Sequence, residues 1–232
     1  MTGTTSTLLP IELVVLDMAG TTVVDDGIVE QAFERAARRV GLADGDGLAT
    51  ALQYVRDTMG QSKIEVFRHL TGGDEEAAAR ANRAFEAAYA ELIDEVGVEA
   101  IPGAAETIDT LRAAGFSVAL TTGFSPETRD AVLGRLGWTV DAVLSPADAG
   151  RGRPAPDLVL GALVATGAGA VASVAVVGDT VSDIHSGRNA GAGLVIGVVT
   201  GAHTREQLTE AGADLVLDSV RDLASVPQLQ RR

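Results

Sequence analysis

The sequence predicts an α/β protein in which a parallel β-sheet carries helices on both faces. Short aliphatic, β-branched segments alternate with segments of helical spacing through most of the chain. Strands and helices in alternation favour crossover connections, which produce parallel pairing and a sheet that is buried on both faces. The interval between the first two strands contains only helical patterns, which predicts a helical insertion. With 232 residues, the chain is long enough for one sizeable core and a smaller second domain.

Six apolar segments are predicted to form the strands of this sheet. The first, Ile11–Leu16, has the sequence IELVVL and ends immediately before Asp17. Because ligands of an open parallel sheet bind beyond the carboxyl ends of the strands, the residues after each strand are candidates for a functional site. The other five predicted strands are Phe116–Leu120, Asp141–Leu144, Val174–Val177, Leu194–Val199 and Asp214–Leu217.

Helical patterns fill the intervals between the later strands. Each of them is bounded by glycine, proline or short polar residues, as connections in α/β proteins usually are. In chain order these predicted helices are Ala104–Ala114, Pro126–Leu136, Asp157–Thr166, Val181–Ala190 and Thr204–Ala211.

The insertion after the first strand predicts a cap domain over the mouth of the sheet. Its segments Val29–Val40 and Glu75–Val96 are rich in good helix formers, and glycines near Gly41–Gly47 and Thr71–Asp74 separate the helices. We therefore predict a catalytic core of residues 11–24 and 98–226 and a helical cap of residues 25–97. Hinges are expected near residues 24–27 and 97–103, which makes Asp25 and Asp26 hinge or cap-start residues. Such caps close over a substrate and exclude water.

The composition excludes several classes of function. The chain has no cysteine, so it contains no disulfide, thiolate nucleophile or cysteine-based metal centre, and this agrees with a cytoplasmic location. A formal net charge of −14 offers no basic face for nucleic acid. No apolar run reaches the length of about 18 residues that a membrane span needs. The Thr-rich segment Met1–Pro10 lacks the features of a signal peptide and is expected to be a disordered lead-in.

Carboxylates and phosphate-binding groups follow four of the predicted strands. A single carboxylate at a strand end is often a helix cap, and for Asp183 alone this explanation is as good as a functional one. Several such groups at the same edge of the sheet indicate a functional site instead. The four segments are Asp17-Met-Ala-Gly-Thr-Thr, Thr122-Gly123, Arg153-Pro-Ala-Pro and Gly178-Asp-Thr-Val-Ser-Asp183.

The predicted chemistry is phosphoryl transfer to Asp17. Three converging carboxylates form an oxygen site suited to Mg²⁺, which would offset the repulsion between a carboxylate nucleophile and a phosphoryl dianion. Asp17 could then attack phosphorus and form an aspartyl-phosphate, while Arg153 stabilises the charge on the phosphoryl oxygens. The groups predicted to hold those oxygens are Thr122, the Gly123 amide and the amides after Asp17, at Ala19, Gly20 and Thr21.

These four segments resemble the four motifs of the haloacid dehalogenase (HAD) superfamily. They occur in the same order, and the resemblance covers about Glu12 to Leu223. It implies a Rossmann-like core, with the helical insertion as a C1-type cap, and a requirement for Mg²⁺. The metal ligands that it implies are Asp17, the Ala19 carbonyl, Asp179 and Asp183.

Ala19 is the unusual residue of the first motif. Most phosphatases of the superfamily carry an aspartate two residues after the nucleophile, and this acid protonates an alkoxide leaving group. The carbonyl of Ala19 can still bind Mg²⁺, but an alanine cannot transfer protons. The segment Asp-Met-Ala-Gly-Thr-Thr closely resembles the first motif of phosphonoacetaldehyde hydrolases, or phosphonatases, whose leaving group is carbon.

The insertion contains a second segment that resembles phosphonatases. Met59-Gly60-Gln61-Ser62-Lys63 is similar to the family's Met-Gly-x-x-Lys segment, and Lys63 is the only lysine in the chain. In that family a cap lysine forms a Schiff base with the substrate aldehyde, and the iminium accepts the electrons of the broken P–C bond. The resemblance implies that Lys63 has this role and that Gly60 and Gln61 contact the substrate.

Three positions depart from the phosphonatase pattern. Where the family has a His three residues after the lysine this chain has Val66, with His69 one helical turn later, and Phe124 replaces a Tyr after the second motif. The family's cysteine in the cap linker is missing. We therefore predict a phosphonatase-like hydrolase of phosphonoacetaldehyde or a related small phosphonate. The alternatives are a phosphatase of sugar-phosphate or phosphoglycolate type and a non-catalytic binding protein, and a homodimer through the cap is compatible with the resemblance.

Overall fold

Six parallel strands form one sheet in the computed structural model, which describes residues 9–230. The strand order is β3-β2-β1-β4-β5-β6, so β1 lies at the centre. Residues 1–8 of the expected lead-in lie outside the described residues. The strands are β1 (Leu13–Asp17), β2 (Ser117–Thr121), β3 (Ala142–Leu144), β4 (Val174–Gly178), β5 (Leu194–Val198) and β6 (Leu215–Leu217).

Both faces of the central strands β1, β4 and β5 are buried, as their apolar residues predict. Within β1, Val14 and Leu16 belong to one hydrophobic cluster, whereas Leu13 and Val15 belong to the other. This alternation follows from the two-residue period of a strand. The first cluster also contains apolar residues of the insertion, and the second is formed by the helices on the opposite face. The sheet is therefore the middle layer of a three-layer α/β core.

The helices that cover the sheet agree with the sequence predictions to within two residues at each end. Pro126–Leu136, Asp157–Thr166 and Val181–Ala190 have the predicted bounds. The short helix α7 (Pro146–Ala149) was not predicted. The others are α5 (Ala104–Ala113), α6 (Pro126–Leu136), α8 (Asp157–Thr166), α9 (Val181–Ala190) and α10 (Arg205–Glu210), with 3₁₀ turns at Val171–Ser173, Val220–Ser225 and Pro227–Leu229.

The insertion between β1 and α5 is entirely helical among the described residues. Three phenylalanines pack together in the insertion: Phe33, Phe67 and Phe85. The rings of Phe33 and Phe67 are tilted against each other, as are those of Phe33 and Phe85, and the centroids of each pair are 4.7 Å apart. One helix begins at Gly45, inside a segment that the sequence predicted as a connection. The helices are α1 (Ile28–Val40), α2 (Gly45–Asp57), α3 (Lys63–Leu70) and α4 (Glu75–Val96).

Side chains of α4 attach the insertion to the core through α6. The Ser125 hydroxyl donates to Glu86 Oε2 over 2.9 Å, the Thr128 hydroxyl also donates to Glu86, and Arg135 pairs with Asp94. The predicted domain boundaries at residues 24/25 and 97/98 stay a prediction. No described helix combines the length and the apolarity that crossing a membrane requires.

Candidate active site

A cavity of about 510 Å³ lies at the carboxyl end of the sheet, beneath the helical insertion. The register places Asp17 opposite Thr121 of β2 and Leu16 opposite Val177 of β4, so the loops after β1, β2 and β4 meet there. The predicted site residues that line the cavity are Asp17, Ala19, Gly20, Gly60, Lys63, Thr122, Gly123, Arg153 and Asp179.

Arg153 forms a buried ion-pair network with two carboxylates. Its Nη2 lies 2.6 Å from Asp17 Oδ1, and its Nη1 lies 2.7 Å from Asp183 Oδ1. All three side chains are at least nine-tenths buried. Burial strengthens such pairs because little water screens them. The guanidinium therefore holds the Asp17 carboxylate in a fixed position at the end of β1.

Asp179 and Asp183 are held by backbone and hydroxyl donors of the surrounding loops. Asp179 accepts from the Thr21 hydroxyl over 3.0 Å and from the Ala202 amide over 2.9 Å. Asp183 Oδ2 accepts from the Thr180 amide and hydroxyl, which closes a capping box at the start of α9. Asp183 thus takes part in a helix cap, which was one of the two explanations that the sequence offered for it. It is also an ion-pair partner of Arg153.

The three carboxylates are close enough to disfavour full ionisation. One oxygen from each of Asp17, Asp179 and Asp183 lies within 4.8 Å of the others. Burial, reinforced by repulsion from Asp183, raises the pKa of Asp179 to about 7. Burial also raises the pKa of Asp17 well above its usual value, although Arg153 opposes this shift. Because one guanidinium offsets only one of three negative charges, this oxygen-rich site could hold a divalent metal ion.

Gly20 allows the first loop to approach Asp179 closely. Its φ is +88°, and a Cβ at this position would lie 2.5 Å from Asp179 Oδ2. Only glycine combines this backbone conformation with so little space. The Gly20 carbonyl accepts from the Thr200 hydroxyl over 2.7 Å, so the loop after β5 fixes the loop after β1.

The segment Met59–Ser62 of the insertion lies directly on the loops of the core. The Ser182 hydroxyl donates to the Met59 carbonyl over 3.2 Å, and Arg153 Nη1 donates to the Gly60 carbonyl over 3.5 Å. A Cβ at Gly123 would lie 2.9 Å from the Gln61 carbonyl. The backbone of this segment therefore covers the ion-pair network from above.

Replacing Gly60 with alanine should displace this segment and lower activity. Gly60 has a φ of +86°, and an added Cβ would lie 2.2 Å from the Thr180 hydroxyl oxygen. A shift of about 1 Å in a residue that positions substrate can lower the rate by about 100-fold. The matched control is Gly72→Ala, because Gly72 also has a positive φ but its Cβ would meet nothing within 4 Å. Comparable rates for the two variants would contradict the importance of the segment.

Lys63 is a buried lysine that points into the cavity. It is the first residue of α3, and its side chain lies between two aromatic rings, with Nζ 5.8 Å from the Phe124 centroid and 5.9 Å from that of Phe33. Nζ makes no hydrogen bond or ion pair with another residue of the described range. Burial lowers the pKa of Lys63, and the Asp25 carboxylate opposes this shift. Burial thus favours an uncharged amine, which is a nucleophile.

Three predicted site residues do not line the cavity, although each is close to it. Thr21 is buried and donates to Asp179, Gln61 packs its backbone on Gly123, and Asp183 lies behind Arg153. Of the three residues at which the sequence departs from the phosphonatase pattern, Phe124 lines the cavity, whereas Val66 is buried and the His69 ring stacks on Tyr54 with centroids 4.0 Å apart.

Two parts of the site were not predicted from the sequence. The loop Thr200–Ala202 follows β5 and contributes to the cavity, and its position directly after a strand was a signal that could have identified it. Asp25 and Asp26 also line the cavity, whereas the sequence favoured hinge or cap-start residues at both positions. No pattern in the sequence distinguishes these two interpretations of Asp25.

The fold and the acidic site define a hydrolase of the haloacid dehalogenase class. The family model for haloacid dehalogenase-like hydrolases matches residues 11–191, and the chain belongs to this family. Among its relatives is phosphonoacetaldehyde hydrolase of Bacteroides fragilis, which is 29% identical over 94% of this chain and 96% of the relative. The probable phosphatase IndB of Dickeya dadantii is 28% identical over 91% of each chain. The phosphonoacetaldehyde hydrolase-like protein of Oleispira antarctica has a similar structure, with a TM-score of 0.80 and 27% identity over 94% of this chain and 92% of that one.

Proposed function

We propose that the protein is a Mg²⁺-dependent phosphonatase that cleaves the P–C bond of phosphonoacetaldehyde or a closely related small phosphonate aldehyde. The observation that carries this proposal is a combination of two residues on one cavity. A buried lysine, Lys63, faces the cavity that Asp17 also lines, and the position two residues after Asp17 is an alanine. The first residue suits capture of an aldehyde, and the second lacks the acid that an alkoxide leaving group requires.

The reaction begins with an imine between Lys63 and the substrate aldehyde. The Asp17 carboxylate then attacks phosphorus, and the electron pair of the P–C bond moves through the carbon skeleton to the iminium nitrogen, leaving an enamine on Lys63. Protonation of the enamine carbon and hydrolysis of the imine release acetaldehyde, and water releases phosphate from Asp17. The leaving group is stabilised by the iminium, so that no acid at position 19 is needed.

The remaining residues of the site support the phosphoryl group. Arg153 pairs with Asp17 over 2.6 Å, which supports a role for its guanidinium in stabilising charge on the phosphoryl oxygens during transfer. Thr122 and Gly123 line the cavity beside it and supply a hydroxyl and an amide. Mg²⁺ held by Asp17, Asp179, Asp183 and the Ala19 carbonyl would neutralise the charge between nucleophile and phosphoryl group.

Adding Mg²⁺ should stabilise the protein more at about pH 8 than at about pH 5. Asp179 has a pKa of about 7 in the folded protein against 3.8 ordinarily, so the folded state binds its proton more tightly than the unfolded state. Its contribution to stability is therefore complete below about pH 4 and is lost as the pH rises through about 7. Mg²⁺ binds the ionised carboxylates and therefore restores the stability that is lost at high pH.

Thermal denaturation with Mg²⁺ or EDTA at the two pH values measures this effect. At a metal concentration about 100 times Kd, the expected gain at about pH 8 is about 2.7 kcal/mol, or about 5–10 °C in Tm. The control is Asp179→Asn, which removes one ligand and should reduce the gain at high pH. Equal shifts at both pH values would contradict a metal site built on these carboxylates.

A second candidate function is hydrolysis of small phosphate monoesters, which the similarity to a probable phosphatase supports. The two functions differ in the substrate preferred. We expect kcat/KM for phosphonoacetaldehyde to exceed that for phosphoglycolate and sugar phosphates by at least about 100-fold, the contribution of one missing general acid. Release of phosphate and acetaldehyde in equal amounts checks the P–C reaction. If kcat/KM were higher for the monoesters by the same factor, the protein would be a phosphatase instead.

A further inference from the structure

We propose that Asp25 is the acid–base catalyst of imine formation at Lys63, an inference that rests on the proposed function. The carboxylate lies at the entrance to the insertion, four residues before Val29, whose amide donates to Asp25 Oδ1 over 3.0 Å. This bond fixes one oxygen at the start of α1. Asp25 also lines the cavity with Lys63, so the carboxylate faces the space that a substrate aldehyde would occupy.

Asp25 and Lys63 line the same cavity without pairing directly, an arrangement that suits a proton transfer that includes the substrate. The Asp25 carboxylate raises the pKa of Lys63 against the effect of burial. The two groups nevertheless form no direct ion pair. A carboxylate that formed a tight pair with Lys63 would instead hold the ammonium ion and keep it from reacting.

Other ionisable groups near Lys63 have different partners. Asp17 is the nucleophile and pairs with Arg153. Glu86 accepts from the hydroxyls of Ser125 and Thr128 and does not line the cavity. Tyr89 is buried, and burial raises the pKa of its phenol above the range useful at neutral pH. Of these groups, Asp25 is thus the acid best placed to exchange a proton with the amine.

The environment of Asp25 supports this role. Burial raises the pKa of its carboxyl, and the neighbouring Asp26 and Glu30 act in the same direction, whereas the Val29 amide and Lys63 oppose it. A raised pKa brings a carboxyl closer to the range in which it can both accept and return a proton, which is what general acid–base catalysis requires.

The chemical step is balanced by these two residues and the substrate. The Asp25 carboxylate removes one proton from the Lys63 ammonium, and the free amine forms a C–N bond to the aldehyde carbon. Transfer of a second proton from nitrogen to oxygen gives a neutral carbinolamine. The Asp25 carboxylic acid then protonates the hydroxyl, the C–O bond breaks, and water leaves. The nitrogen lone pair forms the C=N bond, and Asp25 ends as a carboxylate beside the iminium.

Asp25→Asn tests the proposal because asparagine keeps the oxygen that accepts from Val29 but cannot exchange protons. The matched control is Asp44→Asn, which removes a negative charge from an exposed residue of the insertion that does not line the cavity. We expect the rate of borohydride-trapped adduct formation at Lys63 with phosphonoacetaldehyde to fall by about 100- to 10,000-fold in Asp25→Asn and to change by less than about threefold in Asp44→Asn. Hydrolysis of acetyl phosphate, which needs no imine, should be equal in the two variants.

Chemical rescue separates a chemical role from a structural one. Asp25→Ala leaves space in the cavity, so added formate should restore part of its rate of adduct formation, and a merely structural role would give no response to formate. Trapping by Asp25→Asn at the wild-type rate would overturn the role of Asp25 and leave the proposed function intact. A wild-type protein that forms no adduct would overturn both.

Discussion

Replacing Asp17 with asparagine should abolish turnover of every substrate. Asparagine keeps the size of the side chain but cannot form an acyl phosphate, and loss of a covalent nucleophile lowers rates by about 10⁴- to 10⁶-fold. Phosphate release under saturating substrate and Mg²⁺ measures the effect. A loss smaller than about tenfold would mean that another group accepts the phosphoryl group.

Loss of folding would not explain this loss of activity. Burial and the neighbouring carboxylates raise the pKa of Asp17, so folding disfavours its ionised form, although the pair with Arg153 opposes this shift. We therefore expect Asp17→Asn to melt no lower than the wild-type protein at about pH 8 without metal. The matched control is Asp57→Asn, an exposed aspartate at the end of α2, which should keep wild-type activity.

Replacing Lys63 with arginine should remove the activity toward an aldehyde substrate. The guanidinium keeps the positive charge but forms no imine, so the P–C bond has no acceptor for its electrons. We expect a loss of at least about 10³-fold in kcat for phosphonoacetaldehyde, together with retained hydrolysis of acetyl phosphate at Asp17. Steady-state kinetics with both substrates measure the two activities separately.

The control for Lys63→Arg replaces an arginine on the same cavity with a lysine. Arg56 lies at the rim and pairs with Glu30 of α1, and Arg56→Lys keeps this charge while it adds a second lysine. Its activity should change by less than about threefold, because surface ion pairs contribute little. Wild-type turnover of the aldehyde by Lys63→Arg would exclude the imine and leave Lys63 as a binding residue.

The sequence was sufficient to predict the sheet and its helices because their signals are local. The run Leu13–Leu16 is apolar at every position, as expected of a strand buried on both faces, and β4 and β5 are buried in the same way. The start of α2 at Gly45 could not be found, because two glycines in its first turn contradict helical propensity. Packing of Leu48, Ala51 and Val55 against the rest of the insertion overrides that propensity.

The parts of the site that depend on contacts between distant residues were harder to predict. Asp17, Asp179 and Arg153 follow strands, so the rule for parallel sheets brings them together. Gly60 and Gln61 reach the core only because the insertion folds back over it, and this contact joins residues about 60 to 120 positions apart. Asp25 also lines the cavity because of the tertiary fold, which no local sequence pattern encodes.

Borohydride trapping tests directly whether Lys63 and Asp17 act on opposite ends of one small phosphonate aldehyde. The protein is incubated with phosphonoacetaldehyde and Mg²⁺, reduced, and examined by intact mass and peptide mapping. We predict a single reduced two-carbon adduct on the peptide that contains Lys63, accompanied by phosphate release before reduction. No adduct, with hydrolysis of phosphate monoesters instead, would contradict the account and identify the protein as a phosphatase.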